Sequence, residues 1–380
     1  MGFKARFSLC SSCLSRNKGN ARAAKSKQES GCALCKGAVS LIENLASEAA
    51  RKCAGAEFET FSVSTMLPRA MLVAEDRLWG SAELGKCSSL KDGMNRELAK
   101  ALGKKLHKKF RGKNADANFN FDFSNNAVSF FPAPILIFGR YLKYSRELSQ
   151  SKWPCSRCNG KGCRRCNGKG EMYPSFENIL ASCIIQQTGG KGTKLHAAGR
   201  EDIDARMIGA GRPFVLEIES PDKRKIDFAA IEREMNERKD CGVLGLRIVP
   251  KAFVELVSNA RFDKEYVALV SADRGLTSAD AEKISGLNGA LISQQTPERV
   301  LHRRPDLVRK RKVKSIEAKA VGGKLEVRVL AEAGTYIKEL ISGDKGRTVP
   351  SISSLLECSA KCDSLDVVGI RDAFIETVEK

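Results

Sequence analysis

The sequence predicts an α+β protein, with a small cysteine-rich α/β module first and a larger domain with a mixed central sheet after it. Helix-like and strand-like runs fill the first third of the chain, and strands and helices alternate from about residue 171 onward. With 380 residues, the chain can form two or three domains that each bury a core. We place them at residues 1–150, 151–170 and 171–380.

The amino-terminal module is predicted from apolar spacing. Apolar residues recur at helical spacing within Leu41–Ala49 and again within Met94–Leu106, which predicts two amphipathic helices. Phenylalanines then alternate with polar residues from 119 to 123, and Ser124–Asn126 supplies turn residues before the next short run. We expect a hairpin whose phenylalanine face packs in the core, although exposed aromatic residues on a sheet can also stack RNA bases.

The later part of the chain predicts a sheet with flanking helices. Cys241–Val249 and Tyr266–Ser271 are apolar on both faces, as central strands are. Val313–Ala320 and Lys324–Ala331 flank a glycine turn and predict a hairpin, and Gly334–Ile341 predicts a short helix.

Charge favours a polyanionic partner. The chain has 65 Lys and Arg against 45 Asp and Glu, a net charge of +20 with a pI near 9.4. Between Thr296 and Lys314 the local net charge is +6, which favours a phosphate clamp over a merely solvated face. No apolar run is long enough to span a bilayer, and the first residues lack the apolar core of a secretory signal, so we expect a cytoplasmic protein.

Eight of the fourteen cysteines lie in two groups of Cys-x-x-Cys pairs. Four thiolates can surround Zn²⁺ tetrahedrally, and neither group leaves an open position for catalysis, so we predict two structural zinc sites rather than disulfides or unrelated thiols. The second group repeats Cys-x-x-Cys-Asn-Gly-Lys-Gly and contains basic residues that could touch RNA. The predicted ligands are Cys10, Cys13, Cys32 and Cys35, and then Cys155, Cys158, Cys163 and Cys166.

The segment Ala197–Phe214 concentrates charge between glycines. Its three arginines are Arg200, Arg206 and Arg212, and its three carboxylates are Glu201, Asp202 and Asp204. Such a segment can hold one carboxylate in a pocket while arginines bind an anionic substrate such as a phosphodiester.

These residues resemble the catalytic signature of the Pus-ten family of archaeal and eukaryotic tRNA pseudouridine synthases. Gly199–Asp202 is similar to the Gly-Arg-x-Asp core of pseudouridine synthases, which implies that Asp202 is the catalytic aspartate. Lys264-Glu265-Tyr266 resembles the strand whose tyrosine packs on the uracil. Gly334–Asp344 resembles the later motif whose basic residue, here Lys338, pairs with the aspartate, and Leu365 would close the pocket.

The resemblance also implies how RNA is held. The run from Gln295 to Lys312 resembles the family's thumb loop, the amino-terminal part resembles a THUMP RNA-binding domain, and Gly139–Trp153 fits the end of that domain. The substrate would be the T loop of tRNA at uridine 54 or 55, without an organic cofactor, and we expect a monomer. The predicted RNA-binding residues are Arg200, Arg206, Arg212, Arg299, Arg303, Arg304, Arg309, Lys310 and Arg311.

Two rival interpretations stay open at this point. The chain could be a tRNA-binding protein or RNA chaperone without catalysis. It could also be another THUMP-type modifier, a thiolase or methyltransferase, although these need an ATP or S-adenosylmethionine site and we find no glycine-rich strand-to-helix turn for one.

Overall fold

The computed structural model describes residues 7–17, 23–80 and 87–372, which form two compact units. The first unit extends to Ile135 and also contains residues 187–192 and 219–225. The second contains residues 136–186, 193–218 and 226–372. Within the described ranges, no helix combines the length and apolar character needed to cross a membrane.

The first unit contains a two-stranded parallel sheet, β1-β2, and a four-stranded sheet in the order β4-β3-β5-β6. Its elements are β1 (Phe7–Leu9), α1 (Ser11–Arg16), β2 (Ala23–Lys25), α2 (Ile42–Lys52), β3 (Thr60–Met66), α3 (Arg69–Trp79), α4 (Leu90–Leu106), β4 (Lys109–Phe110), β5 (Ala117–Asp122) and β6 (Ala127–Pro132).

The core of the first unit follows the predicted pattern. Helices α2 and α4 cover the two predicted helical runs, and β5 and β6 form the predicted hairpin, with Phe119 opposite Phe130. Phe119 and Phe121 are fully buried, and the rings of Phe119 and Phe130 lie 5.1 Å apart. The alternating phenylalanines therefore serve packing.

The second unit is built on one large sheet, in the order β10-β7-β9-β16-β11-β14-β13-β12-β15, with β8 beside β9. Its elements, of which β7, α5, β8 and β9 begin or end in the first unit, are β7 (Ile135–Lys143), α5 (Phe176–Thr188), β8 (Gly192–Ala197), β9 (Ala205–Glu219), α6 (Phe228–Asn236), β10 (Cys241–Ile248), α7 (Ala252–Asn259), β11 (Lys264–Ala272), α8 (Ser278–Ile284), β12 (Leu291–Gln295), β13 (Val308–Val321), β14 (Lys324–Ala331), α9 (Ile337–Ser342), β15 (Thr348–Val349), α10 (Ile352–Leu356) and β16 (Ala360–Ile370).

The large sheet is mixed, as predicted, and its register gathers three distant parts of the chain. β16 runs parallel to β9 and antiparallel to β11. Leu365 consequently lies opposite Ala205 on one side and Ala268 on the other, and Val367 lies opposite Tyr266. Residues that are more than 90 positions apart in sequence therefore meet near the beginning of β9.

Three features differ from the sequence predictions. β10 is an edge strand that pairs only with β7 in the described sheet, and Leu244 and Ile248 are exposed on it, so the prediction of a central strand was wrong. β7, which we had assigned to the first module, pairs with β10 and lies beside β9 in the large sheet. Residues 308–312, predicted as loop, form the start of β13 and pair with β12.

Candidate active site and cysteine clusters

The turn between β8 and β9 presents Asp202. Gly199 begins this turn with a φ of +84°, a backbone conformation that a residue with a Cβ adopts only with strain. A Cβ there would also lie 3.2 Å from Nη1 of Arg212. The amide of Ala205 donates to the carbonyl of Asp202 at 3.1 Å, which closes the turn as β9 begins.

A buried polar network supports this turn from below. Arg212 and Glu201 form an ion pair at 2.9 Å, with side chains only 1% and 2% exposed. The Tyr141 hydroxyl donates to Glu201 at 2.7 Å. Gln150 donates to the Tyr141 oxygen at 2.7 Å and to the carbonyl of Gly199 at 2.9 Å. These bonds fix the residues on either side of Arg200.

The burial of Arg212 contradicts its predicted role as an RNA-binding residue. Its guanidinium also donates to the carbonyl of Ala198 at 2.8 Å, so it is committed to the protein interior. A buried lysine has a similar supporting role: Lys143 donates to the carbonyl of Ile203 at 2.7 Å, between the two aspartates of the turn. Burial lowers the pKa of Lys143 to about 8.

Asp202 lies between two cations. Its carboxylate is 3.0 Å from Arg299 and 3.4 Å from Lys338, and it is partly open to the cavity. Arg299 is itself held by the buried carboxylate of Glu339 in α9, with Nε donating to Oε1 at 2.6 Å. Sequence reasoning assigned Arg299 to RNA and missed this contact, because a basic run gives no sign of which arginine turns inward.

Lys338 reaches both aspartates of the turn. Its Nζ donates to both oxygens of Asp204 at 2.7 Å, closer than its distance to Asp202. Burial opposes ionisation of Asp204, but the hydrogen bond and positive charge of Lys338 outweigh it and lower the pKa of that carboxyl group. Burial also opposes the charged form of Lys338, but the hydrogen bond to Asp204 and the negative charges of Asp202 and Asp204 outweigh it and raise the pKa of Lys338. The turn and α9 are thus joined by a charged cluster.

These groups open into a cavity of about 490 Å³. All four predicted catalytic residues line this cavity: Asp202, Tyr266, Lys338 and Leu365. Tyr266 and Leu365 are nearly buried, and burial raises the pKa of the Tyr266 phenol to about 12. Apart from the buried pair of Glu201 and Arg212, the lining contains one carboxylate, that of Asp202, and five cations: Arg200, Arg299, Arg303, Arg304 and Lys338.

The remaining predicted RNA-binding residues have different surroundings. Arg200 and Arg303 both lie against the ring of Trp153, and Arg304 donates to the Tyr336 hydroxyl at 3.2 Å. Arg206 is paired with Asp366, Nε to Oδ1 at 2.9 Å. On β13, Arg309 donates to Thr296, Arg311 donates to the carbonyl of Lys310, and Lys310 is exposed.

The geometry of both cysteine groups fits a tetrahedral metal ion. Within each group the four Sγ atoms lie within 4.8 Å of one another. The distances Cys10–Cys35 (3.7 Å), Cys155–Cys163 (3.8 Å) and Cys158–Cys166 (3.8 Å) match the edge of about 3.8 Å for a tetrahedron with Zn–S bonds of about 2.3 Å. The donor set is all sulfur, which suits Zn²⁺.

The first cluster has a cation beside its sulfur atoms. Nη2 of Arg16 donates to Sγ of Cys13 at 2.9 Å, and the side chain is almost fully buried. It passes over α4 where Gly93 stands, and a Cβ at Gly93 would lie 1.8 Å from Nη1 of Arg16. A positive charge at this position would offset part of the negative charge that four thiolates carry when they bind a metal ion.

Comparison with known proteins identifies the family. Residues 136–371 match the model of "Pus10, C-terminal", and residues 45–122 match that of "Pus10 THUMP domain, archaeal". The tRNA pseudouridine synthase Pus10 of Methanothrix thermoacetophila is 36% identical over 353 residues, covering 90% of this chain and 77% of the relative. That of Archaeoglobus fulgidus is 37% identical over 352 residues, covering 89% and 94%. The resemblance seen in the sequence is confirmed, and the chain belongs to the Pus10 family of tRNA pseudouridine synthases.

Proposed function

We propose that this protein converts uridine to pseudouridine in the T loop of tRNA, at position 54, 55 or both, with Asp202 as the catalytic carboxylate. The observation that carries the proposal is the placement of Asp202. Its carboxylate lies in a cavity of about 490 Å³, 3.0 Å from Arg299 and 3.4 Å from Lys338, and Tyr266 and Leu365 line the same cavity.

The reaction needs a carboxylate but no change in oxidation state. The bond between N1 of the base and C1′ of the ribose breaks, the base turns, and C5 bonds to C1′ while the C5 proton moves to solvent and N1 gains one. Asp202 either attacks C1′ or removes a proton from the sugar. Both routes use the carboxylate of Asp202, which forms ion pairs with Arg299 and Lys338.

The other cavity residues divide the remaining work. Tyr266 supplies a nearly buried ring against which the uracil packs, and Leu365 closes the pocket beside it. Burial raises the pKa of the Tyr266 phenol to about 12, so the ring that packs against the uracil is neutral, and the same residue later helps to remove the C5 proton. Lys338 positions Asp202 and Asp204 together.

Capture of the RNA uses the cations around the cavity. A uridine stacked in folded RNA has to swing out, at a cost of a few kcal/mol, before a carboxylate can reach its ribose. Contacts from Arg303, Arg304, Arg309 and Lys310 to phosphates offset this cost, because the first two line the cavity and the last two lie on the basic start of β13.

We also propose that both cysteine clusters hold structural Zn²⁺. All four positions of each tetrahedron are taken by protein sulfur, so a bound ion would stabilise the local fold and would not activate water. Cys10, Cys13, Cys32 and Cys35 would hold one ion, and Cys155, Cys158, Cys163 and Cys166 the other.

The decisive experiment compares Asp202→Asn with Asp204→Asn on an unmodified tRNA transcript, followed by mapping of pseudouridine. Asp202→Asn should abolish product while RNA binding survives, because only the reacting carboxylate is lost. Asp204→Asn, two residues away and 64% exposed, removes a partner of Lys338 but not the reacting carboxylate, so it should slow turnover without abolishing it. Product from Asp202→Asn would reject the assignment. If the unsubstituted protein binds the transcript without forming product, a purely RNA-binding role is the better interpretation.

A further inference from the structure

Trp153 lines the cavity that contains Asp202 and has cations near its ring. The guanidinium carbons of Arg200 and Arg303 are 5.5 Å and 5.6 Å from the ring centroid. Trp153 is half-buried, whereas Tyr266, which lines the same cavity, is nearly buried. Neither the charged turn nor the pairing of the large sheet requires an aromatic side chain at this position.

The second cysteine cluster fixes the backbone that carries Trp153. The amide of Met172 donates to the carbonyl of Trp153 at 3.0 Å, and Pro154 forms an antiparallel bridge with Glu171. The amide of Cys155 donates to the carbonyl of Gly170 at 2.8 Å. The residues just before and just after the cluster are therefore hydrogen-bonded to each other, and Trp153 lies two positions before its first cysteine, Cys155.

A second aromatic ring limits the motion of Trp153. Tyr173 meets it edge to face, with centroids 5.5 Å apart and planes at 64°. Two exposed arginine side chains, Arg200 and Arg303, also lie near the indole ring. A rigid indole with polar, displaceable neighbours is the arrangement that sequence-tolerant base stacking uses.

We propose that Trp153 stacks a nucleobase that neighbours the target uridine in the bound RNA, and that the second cysteine cluster serves to hold it there. This proposal rests on the proposed function, since it takes the everted uridine to occupy the cavity that Trp153 lines. A guanidinium above an indole occupies the space that a base plane would take. On binding, the base replaces Arg303, and the freed guanidinium turns to the adjoining phosphate.

The chain offers a direct optical test, because it contains two tryptophans, Trp79 and Trp153. Trp79 belongs to the first unit, where its indole donates to Asn17 at 3.2 Å. In a Trp79→Phe, Asp202→Asn protein, tryptophan emission reports Trp153 alone and the RNA is not turned over. Titration with an unmodified tRNA transcript should quench this emission at saturation. Unchanged emission at saturation would overturn the proposal.

Substitutions at position 153 separate stacking from packing. Trp153→Leu keeps an apolar side chain but cannot stack, and it should weaken transcript binding roughly 5- to 150-fold, the range that loss of one base–aromatic contact gives. Trp153→Phe should stay within a few-fold of the parent. Both variants should keep the metal content of the second cluster. Equal binding by Trp153→Leu and the parent, with metal retained, would refute the proposal.

Arg303→Ala provides the complementary variant. It removes a phosphate partner, so the slope of log affinity against log salt should fall by about one, while quenching of Trp153 persists at saturation. Loss of quenching in this variant would mean that the signal reports a movement of Arg303 and not a stacked base, which contradicts the proposal. Pseudouridine mapping with the protein carrying Asp202 is a separate readout. Quenching without product would reject the proposed function alone, and product with neither quenching nor an effect of Trp153→Leu would reject the stacking alone.

Discussion

The buried ion pair under the Asp202 turn predicts a large and specific loss of stability. Substituting Arg212→Leu removes the partner of Glu201 but leaves that carboxylate 2% exposed, with the Tyr141 hydroxyl as its remaining donor. Breaking a buried pair in this way costs about 3–5 kcal/mol, because one charge stays desolvated and uncompensated. We expect a loss of that size in the free energy of unfolding of the second unit.

A surface pair in the same unit gives the matched control. Arg238 and Asp240 pair at 2.8 Å, but their side chains are 39% and 36% exposed. Arg238→Leu should cost about 1 kcal/mol or less, because water screens and replaces such contacts. A double variant, Arg212→Leu with Glu201→Met, should recover part of the loss, since it removes the stranded charge together with its partner.

Urea unfolding in a Trp79→Phe background measures these differences. Emission then comes from Trp153, which lies in the second unit, and urea does not screen charges as guanidinium does. Arg212→Leu should lower the unfolding midpoint well below that of Arg238→Leu. Equal midpoints for the two single variants, or a double variant less stable than Arg212→Leu, would refute the view that charge burial is the cause.

Two further predictions concern the metal clusters and pH. Gly93→Ala should displace Arg16 from Cys13 and speed loss of metal to a chelator, whereas Gly112→Ala, with no atom within 4 Å of the added Cβ, should behave as the parent; equal metal release from both would contradict the role of Arg16. For Lys143, whose folded pKa of about 8 lies below its ordinary 10.5, the unfolded chain binds more protons between these values, so its contribution makes stability rise with pH there. Between pH 8 and pH 10 the urea midpoint of the parent should therefore rise relative to that of Lys143→Met. Parallel pH profiles of the two midpoints would exclude this linkage.

The sequence predicted those parts of the site that depend on local spacing. The spacing of the Cys-x-x-Cys pairs predicted that the four sulfur atoms of each cluster lie close together, as they do. The alternation of phenylalanines predicted that Phe119 and Phe121 are buried in the core. The Gly-Arg-Glu-Asp motif led to Asp202, and the structure brings Tyr266, Lys338 and Leu365 to the same cavity.

The sequence did not indicate which of several similar residues are buried in the fold. Arg206 and Arg212 lie in one segment, yet one is half-buried against Asp366 and the other is fully buried against Glu201, because the difference arises from how β9 packs. Arg299 joins Asp202 across 97 positions, and the run of cations around it gave no hint. Strand order is likewise non-local, so apolar character alone made the edge strand β10 look central.

The return of two short segments into the first unit constrains how the protein can be divided. In residues 219–225, the carbonyl of Asp222 accepts from the amide of Glu57 at 2.7 Å, and Arg224 donates to the carbonyl of Ala133 at 2.8 Å. Glu57 in turn accepts from the amide of Arg224 at 2.9 Å. A fragment cut at Ile135 would leave these groups without partners. Separate expression of the first unit therefore requires the two returning segments to be included. Exchanging this unit between relatives means exchanging three stretches of gene together.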